Sequence, residues 1–377
     1  MPNRLKLIHV VENLDKGAVE NWIVNIFIES KKIRPNWEWT FYCILGKEGR
    51  LDEKVRVAGG KIIYAPCTIS EKSNFLKALR KTLKQGQYDI IHSHHDYLSG
   101  FYLIASQGIK FKKRILQIHN TDEALPVGNK FLRKVLLSPL KLLAVHYSDL
   151  IVGISVHTLK QFIKKTSLSK KQSKVLYYGV DMSPFEMDES ADSFQDKLSL
   201  PATAKLLLFS GRMNELKNPV FVVDILAELL KTDKDYVSVF VGEGDLLKDV
   251  EQQAAHYNIS SHVKLLGWRK DLPAIMKACD VFVFPRQEEP KEGLGLVVVE
   301  AQAAGLPMLL SYGILEDAIE IPDLANFITL DNNPAEWAEK IITVKNNISS
   351  TEALEKMKNS KFALPIATQN LVNLYEC

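Results

Sequence analysis

Cysteine is scarce: the chain of 377 residues has four, Cys43, Cys67, Cys279 and Cys377, and they lie far apart. That scatter excludes a disulfide framework and offers no paired metal-ligand spacing, so the thiols read as incidental to a reducing cytosol. Long apolar runs are missing as well. No stretch reaches the ~18 residues a membrane span needs, and Met1-Pro2-Asn3-Arg4-Leu5-Lys6 leads into a strand without a signal-peptide pattern. The first strand does not end in Gly-x-Gly-x-x-Gly. It runs into Val11-Glu12-Asn13-Leu14-Asp15-Lys16-Gly17-Ala18, which gives no support to a nicotinamide-dinucleotide site. The sequence has no repeat, no low-complexity tract, no nucleic-acid motif and no aromatic-interleaved basic stripe, so nucleic acid is not an expected partner.

Hydrophobic residues make up 46% and charged residues 25%, an ordinary globular balance. The length suits two domains of about 150–200 residues each. Net charge is +3, but it is unevenly spread: residues 1–185 carry 30 Lys+Arg against 15 Asp+Glu, and residues 186–377 carry 18 against 30. A basic first half points to an anionic surface, and a membrane leaflet is the better candidate.

Short apolar strands alternate with longer amphipathic segments, the pattern of parallel α/β architecture. Strands are expected at Leu5–Val11, Thr40–Leu45, Lys61–Ala65, Asp89–His92, Arg114–His119, Leu150–Ile154 and Val175–Tyr177. In the second half they are expected at Lys205–Ser210, Val237–Val241, Val263–Leu266, Val281–Phe284 and Pro307–Leu310. Polar sequence without periodicity from Gly179 to Pro201 reads as a linker, with the domain boundary near residue 186. The expected domains are 1–185 and 186–360, followed by a helical segment within 361–377.

The most informative stretch is Glu292-Gly293-Leu294-Gly295-Leu296-Val297-Val298-Val299-Glu300. It follows the strand-like Val281–Phe284 and Pro285, and leads into Ala301-Gln302-Ala303-Ala304-Gly305. A strand, a glycine loop and a helix N-terminus together receive an anion on backbone N–H groups. Glu292 is expected in the loop, and Glu300 about two turns further on if the helix starts near Leu294. Carboxylates accept from sugar hydroxyls and N–H donors suit phosphates, so a sugar nucleotide fits.

This segment resembles the E-x7-E signature of the retaining glycosyltransferases of family 4, which have the GT-B fold. Gly211-Arg212, Lys217-Asn218, Gly242-Glu243-Gly244, Gly267-Trp268 and Ala278-Cys279-Asp280 extend the resemblance in order and spacing. The resemblance is nearest to members that build bacterial exopolysaccharide and other surface glycans, and it is looser in the first half. It implies two Rossmann-like domains facing across a cleft, the first binding acceptor and the second the nucleotide sugar. The final helix, read at Leu364–Tyr375, would cross back onto the first domain.

The resemblance also assigns roles. Arg212 and Lys217 would grip the diphosphate, where a planar guanidinium and a compact ammonium suit different oxygens. Glu292 would lie near the reacting sugar and Glu300 on the ribose hydroxyls. Gly293, Leu294 and Gly295 would complete the phosphate cradle, and Gly242 belongs to the tight turn of the next loop. Arg269, after Trp268, would face the base. In the first domain Gly17 would approach the donor phosphates, although Ala18 stands where a second glycine is usual. His119, in Ile118-His119-Asn120, would be catalytic near donor sugar and acceptor, its rival role being that of a satisfied structural histidine. The run Arg286-Gln287-Glu288-Glu289-Pro290-Lys291 is longer and more acidic than usual, and Glu288 and Glu289 read as loop charges.

Three further features bear on metal and membrane binding. His92-Ser93-His94-His95-Asp96 looks like a metal cluster, yet neighbours on one loop rarely converge and nothing else offers ligands. Asp233-Lys234-Asp235 spells a metal-binding D-x-D but falls in a turn. In helix 130–146, Lys130, Lys134 and Lys141 share a narrow wedge, and an interfacial membrane helix is expected there. The expectation is therefore a retaining, metal-independent hexosyltransferase, cytoplasmic and peripheral at the inner face of the plasma membrane. It would move sugar from a UDP-sugar, or next a GDP-sugar, to a glycan or lipid-linked acceptor. The alternatives are a catalytically silent GT-B partner subunit and a sugar-nucleotide epimerase.

Overall fold

Two parallel sheets organise the computed structural model, which describes residues 4–15, 17–120, 130–164, 172–187 and 191–377; the side chains of 130–137, 164 and 191–193 are not described. The first sheet has β1 (Lys6–Val11), β2 (Glu38–Cys43), β3 (Lys61–Tyr64), β4 (Ile90–Ser93), β5 (Lys113–Ile118), β6 (Leu150–Gly153) and β7 (Gln172–Val175). Its order is β3-β2-β1-β4-β5-β6-β7. The second has β8 (Lys205–Ser210), β9 (Tyr236–Val241), β10 (Val263–Leu265), β11 (Val281–Phe284), β12 (Met308–Leu310) and β13 (Ala325–Phe327), in the order β10-β9-β8-β11-β12-β13. Their strands read as near-continuous apolar runs because helices cover both faces; β8 and β9 are buried along almost their whole length.

The α/β reading holds, with two differences of detail. β13 was not expected: three residues, one of them Asn326, are too few for an apolar period to show. The stretch read as a linker is largely part of the second unit. Phe185 and Phe194 are buried, and Lys277 Nζ donates to the carbonyl of Met187 at 3.0 Å. Apolar residues spaced too widely to form a period still drive a segment into a core.

The chain divides into Met1–Gly179 with Leu364–Cys377, and Val180–Ala363. The division falls at Gly179/Val180, ahead of residue 185. The C-terminal helix Leu364–Glu376 lies against the helix Ala18–Ile33 of the first unit. Leu371, Val372, Leu374 and Tyr375 are buried there, and Arg34 Nε meets Glu376 Oε1 at 2.6 Å. Lys113 Nζ also donates to the carbonyl of Leu374 at 2.8 Å.

The lysine wedge expected on the helix Lys130–Tyr147 does not survive at its described end. Lys141 is only 5% exposed, with Nζ 4.4 Å from the centroid of the Phe162 ring, while neighbouring Leu142 is 53% exposed. An aromatic face stabilises a buried ammonium, so this lysine packs inward and offers no charge to a membrane surface. Lys130 and Lys134 fall among the side chains that are not described.

The apolar face, and not the ion pair, should hold the C-terminal helix. Leu371→Ala is expected to lower unfolding free energy by about 2–4 kcal/mol. Arg34→Ala, which breaks a partly exposed pair, should cost under ~1 kcal/mol. Urea titrations of the two variants check the ranking, and equal effects would refute it.

Candidate functional site

Ligands of parallel α/β units bind beyond the carboxyl ends of the strands, and in the second unit these ends are laced together by backbone. Gly211 N–H donates to Val241 O at 3.0 Å, Gly242 N–H to Gly267 O at 2.8 Å, and Met213 N–H to Glu243 O at 2.9 Å. Gly242 has φ +138°, and a Cβ there would stand 1.9 Å from the Gly211 carbonyl oxygen. Only glycine lets the loops after β8 and β9 touch in this way. Arg212, exposed at that edge, and Lys217, in the loop that opens the helix Pro219–Thr232, are thus set on a rigid floor.

Glu292 reaches the same floor from the loop after β11. Its N–H donates to Gly313 O at 2.9 Å, and its Oε2 takes both Lys217 Nζ and Arg286 Nε, the latter at 2.7 Å. Burial pushes the Glu292 carboxyl up, but Lys217 and Arg286 outweigh it and hold it below its ordinary range. Lys217 is pushed down by burial, with Arg286 and Arg212 adding repulsion and Glu292 opposing them. Arg212, Arg286 and Lys217 outnumber Glu292, so the cluster stays positive. A polyanion fits such a place.

Arg286 was missed as a site residue. It is 3% exposed and follows β11 directly after Pro285. An arginine two residues beyond a central strand's carboxyl end is the readable signal; its burial is not. Ser311 Oγ donates to the Arg286 carbonyl, and the loop is tied to its neighbour by Gln287 N–H to Leu216 O at 2.8 Å. Glu288, read as a loop charge, accepts the Leu330 N–H at 2.9 Å and so anchors the loop.

The helix after the Gly-x-Gly runs Leu296–Ala303, starting later than Leu294, with Gly295 as N-cap at φ +84°. Gly293 precedes it in the loop, and the Leu294 side chain is buried, which fixes the turn. Glu300 lies in the second turn of this helix, half-buried, and burial alone pushes its carboxyl up to about 7. Arg269 is held by Asp271, Nε to Oδ1 at 2.8 Å, and Trp268 beside it is 49% exposed. Asp233 pairs with Lys205 at 2.6 Å within its turn, a structural role.

In the first unit, Gly17 caps the helix Ala18–Ile33, and Glu20 folds back over it. A Cβ on Gly17 would stand 1.8 Å from Glu20 Oε2, so this helix start already carries its own carboxylate. His119 is buried with both ring nitrogens engaged: Nε2 lies 3.2 Å from His94 Nδ1, and Nδ1 bonds the Tyr178 hydroxyl. Its N–H donates to Asp96 Oδ1 at 2.6 Å. The view that no other residue joins the loop histidines is corrected by His9 on β1. His9, His92 and His94 bring ring nitrogens within 4.8 Å of one another, a grouping able to hold a metal ion. In register His9 pairs His92 across adjacent strands, and strand alternation puts His94 on the same face.

Two measurements follow. Arg286→Gln leaves Glu292 with one cation; it should cost about 1–3 kcal/mol of stability, read by chemical denaturation. For Glu300 the folded value near 7 lies above the ordinary 4.5. The stability it contributes is therefore full below 4.5 and is lost as pH rises through 7. Glu300→Gln should match wild type near pH 4.5 and exceed it by about 1–3 kcal/mol at pH 8. Melting curves across that range decide it: a pH-independent difference would contradict the burial argument.

The sequence profile described as "Glycosyltransferase Family 4" matches residues 37–183, and that described as "Glycosyl transferases group 1" matches residues 190–361. Among relatives, the UDP-Gal:alpha-D-GlcNAc-diphosphoundecaprenol alpha-1,3-galactosyltransferase of Escherichia coli is 25% identical over 77% of this chain and 76% of its own length. The capsular polysaccharide biosynthesis glycosyltransferase CapH of Staphylococcus aureus is 23% identical over 98% of both chains. Among solved structures, Anabaena HepE in complex with UDP superposes with a TM-score of 0.80 at 18% identity, covering 99% of this chain and 100% of that one. The chain belongs to the family 4 glycosyltransferases, and its two units are the Rossmann-like halves of the GT-B fold.

Proposed function

We propose that the protein transfers a sugar from a UDP-sugar, without a metal ion and with retention, to a glycan or lipid-linked acceptor in surface polysaccharide synthesis. The observation that carries this reading is the positive cluster of Lys217 and Arg286 on Glu292, with Arg212 close enough to repel Lys217, beside the N-terminus of the helix Leu296–Ala303. Departure of a nucleoside diphosphate builds negative charge on phosphate oxygen. Fixed cations and backbone N–H groups at that point lower the barrier without proton transfer. They supply the charge that a divalent ion provides elsewhere, which supports a metal-independent reaction.

In this reading Arg212 and Lys217 hold the diphosphate, and Gly293, Leu294 and Gly295 present N–H groups to it. The arriving phosphate competes with Glu292 for Lys217, and Arg286 keeps Glu292 ionised and in place when Lys217 turns. Glu292 then faces the developing positive charge on the sugar. Glu300 accepts from ribose hydroxyls, and these donors favour its ionised form, so donor binding near pH 7 releases a proton. Arg269 serves the base once it leaves Asp271, Gly242 keeps the loop floor closed, and His119 orients the donor sugar or acceptor hydroxyl. Uracil and a lipid-linked glycan are favoured because HepE is solved with UDP and the E. coli relative is named for UDP-galactose and a diphosphoundecaprenol acceptor. Binding at a membrane surface rests on the basic first half alone.

A second reading is a catalytically silent partner subunit. It is favoured by the closure of His119 on His94 and Tyr178, and by Glu20 over Gly17.

Calorimetric titration with UDP-, GDP- and ADP-sugars in chelator tests the donor site. UDP-sugar should bind, and Arg212→Ala should lose about ten-fold or more in affinity, as expected for a charge-assisted bond. NMR of the product then reads the anomeric configuration. No binding by any donor would sink the transferase reading, and binding without turnover on any acceptor would favour the silent partner.

A further inference from the structure

A parallel sheet covered on both faces ordinarily presents Val, Ile and Leu to its helices. The first unit instead buries His9, His92, His94 and His119 beneath the helices Ala18–Ile33 and Leu364–Glu376. His9 stacks on Trp39 at 4.5 Å, Trp22 of the first of these helices lies edge-on to His94 and His119, and Tyr375 belongs to the second. Such a layer is costly unless each polar atom is matched.

It is matched in sequence except at His92 Nε2, which has no hydrogen-bond partner among the described residues. His92 Nδ1 lies 2.7 Å from the Tyr375 hydroxyl, which lies 3.4 Å from His9 Nε2. His9 Nδ1 meets His94 Nε2 at 3.0 Å, His94 Nδ1 meets His119 Nε2 at 3.2 Å, and His119 Nδ1 bonds the Tyr178 hydroxyl. Burial, first of all, pushes each of the four imidazoles below its ordinary value, so the rings are neutral at pH 7. A neutral imidazole has one N–H and one lone pair, and a phenol has one O–H. Every group can then donate in only one direction along the chain. If Tyr178 donates to His119, all four histidines carry their proton on Nε2. If His92 donates to Tyr375, all four carry it on Nδ1. Between two rings a mixed set leaves two donors or two lone pairs facing each other; at Tyr375, two imidazoles donating to the one phenol oxygen would leave its buried O–H without an acceptor.

We propose that the four buried histidines share one tautomer and that Tyr375 is the positioning residue that couples them, so that the C-terminal helix links the tautomer of His92 to that of His119. The link matters for transfer because Tyr178 and a sugar hydroxyl compete for His119 Nδ1, which is an acceptor in one state and a donor in the other. That consequence rests on the role given to His119 above; the coupling itself does not.

Long-range 1H–15N NMR on protein labelled with 15N-histidine tests it, with assignments from single His→Gln variants. In wild type the four resonances should report one common tautomer, and a mixed set would overturn the proposal. Tyr375→Phe keeps the ring but removes the link: His119, four hydrogen bonds distant from His92, should lose tautomer preference by about five-fold, the worth of one hydrogen bond. An unchanged His119 would overturn the coupling. His9→Phe, which retains an aromatic ring against Trp39, should have the same effect at His119 and guards against a folding defect peculiar to residue 375. Stoichiometric ZnCl2 should leave the wild-type spectrum unchanged. Tight one-to-one binding lost in His9→Phe would make the nitrogens metal ligands and overturn the proposal. Turnover separates the two claims: if His119→Gln keeps full activity while Tyr375→Phe still shifts the His119 tautomer, the coupling stands and the catalytic reading of His119 fails.

Discussion

A buried carboxylate must be paired, and the edge of the second sheet is arranged around that demand at Glu292. Ionised and mostly withdrawn from water, it would carry a penalty of several kcal/mol if alone. Two cations meet its one oxygen, one from the loop after β8 and one from the step after β11. The loops after β8 and β11 are tied by Gln287 N–H to Leu216 O, and the loop after β8 rests on that after β9 at Gly242, where no side chain fits. The pairing leaves an excess of positive charge at a helix start. Under the proposed function, an arriving anion balances that excess.

The first unit meets the same cost by the opposite route. Its buried histidines, with Tyr178 and Tyr375, are kept neutral by desolvation and bonded to one another along a chain of imidazoles and phenols, with His92 Nε2 left over. An ionic cluster attracts a charged ligand and is loosened by it. A neutral chain presents no net charge, and in the proposed coupling it carries orientation from one end to the other. In the proposed reading donor binding and acceptor handling fall to different units, and the two units differ in their kind of buried polarity.

How much of this could be read from residues alone depended on locality. Strand–loop–helix units announce themselves through apolar runs and glycine, so β8, β9, β11 and the Glu292–Glu300 segment were legible, with ends off by a residue or two. Lys217 and Glu292 could be named separately, but their contact could not, since it joins positions far apart in sequence. Arg286 was hidden by its neighbours: in an acidic run a charge reads as solvated, and only the fold shows one of them buried. His9 was invisible for a related reason. It lies in an apolar strand far from the histidine loop, and register alone places it opposite His92. Lys141 misled through periodicity, which reports the face of a helix but not whether a ring waits on the other side.

Glu292 and Glu300 show why spacing cannot assign roles by itself. Two turns apart on one segment, they have the same chemistry and opposite environments. Glu292 has cations close by and stays ionised against burial, whereas Glu300 has burial and no compensating charge, which leaves it poised near neutrality. One is committed to being a charge before any ligand comes. In the proposed reading the other becomes a charge when hydroxyl donors reach it. A carboxylate that must act on a developing cation needs the first condition, and one that recognises neutral hydroxyls tolerates the second. The division of labour between the pair therefore lies in what surrounds each carboxylate: Arg286 and Lys217 at one, apolar helix packing at the other.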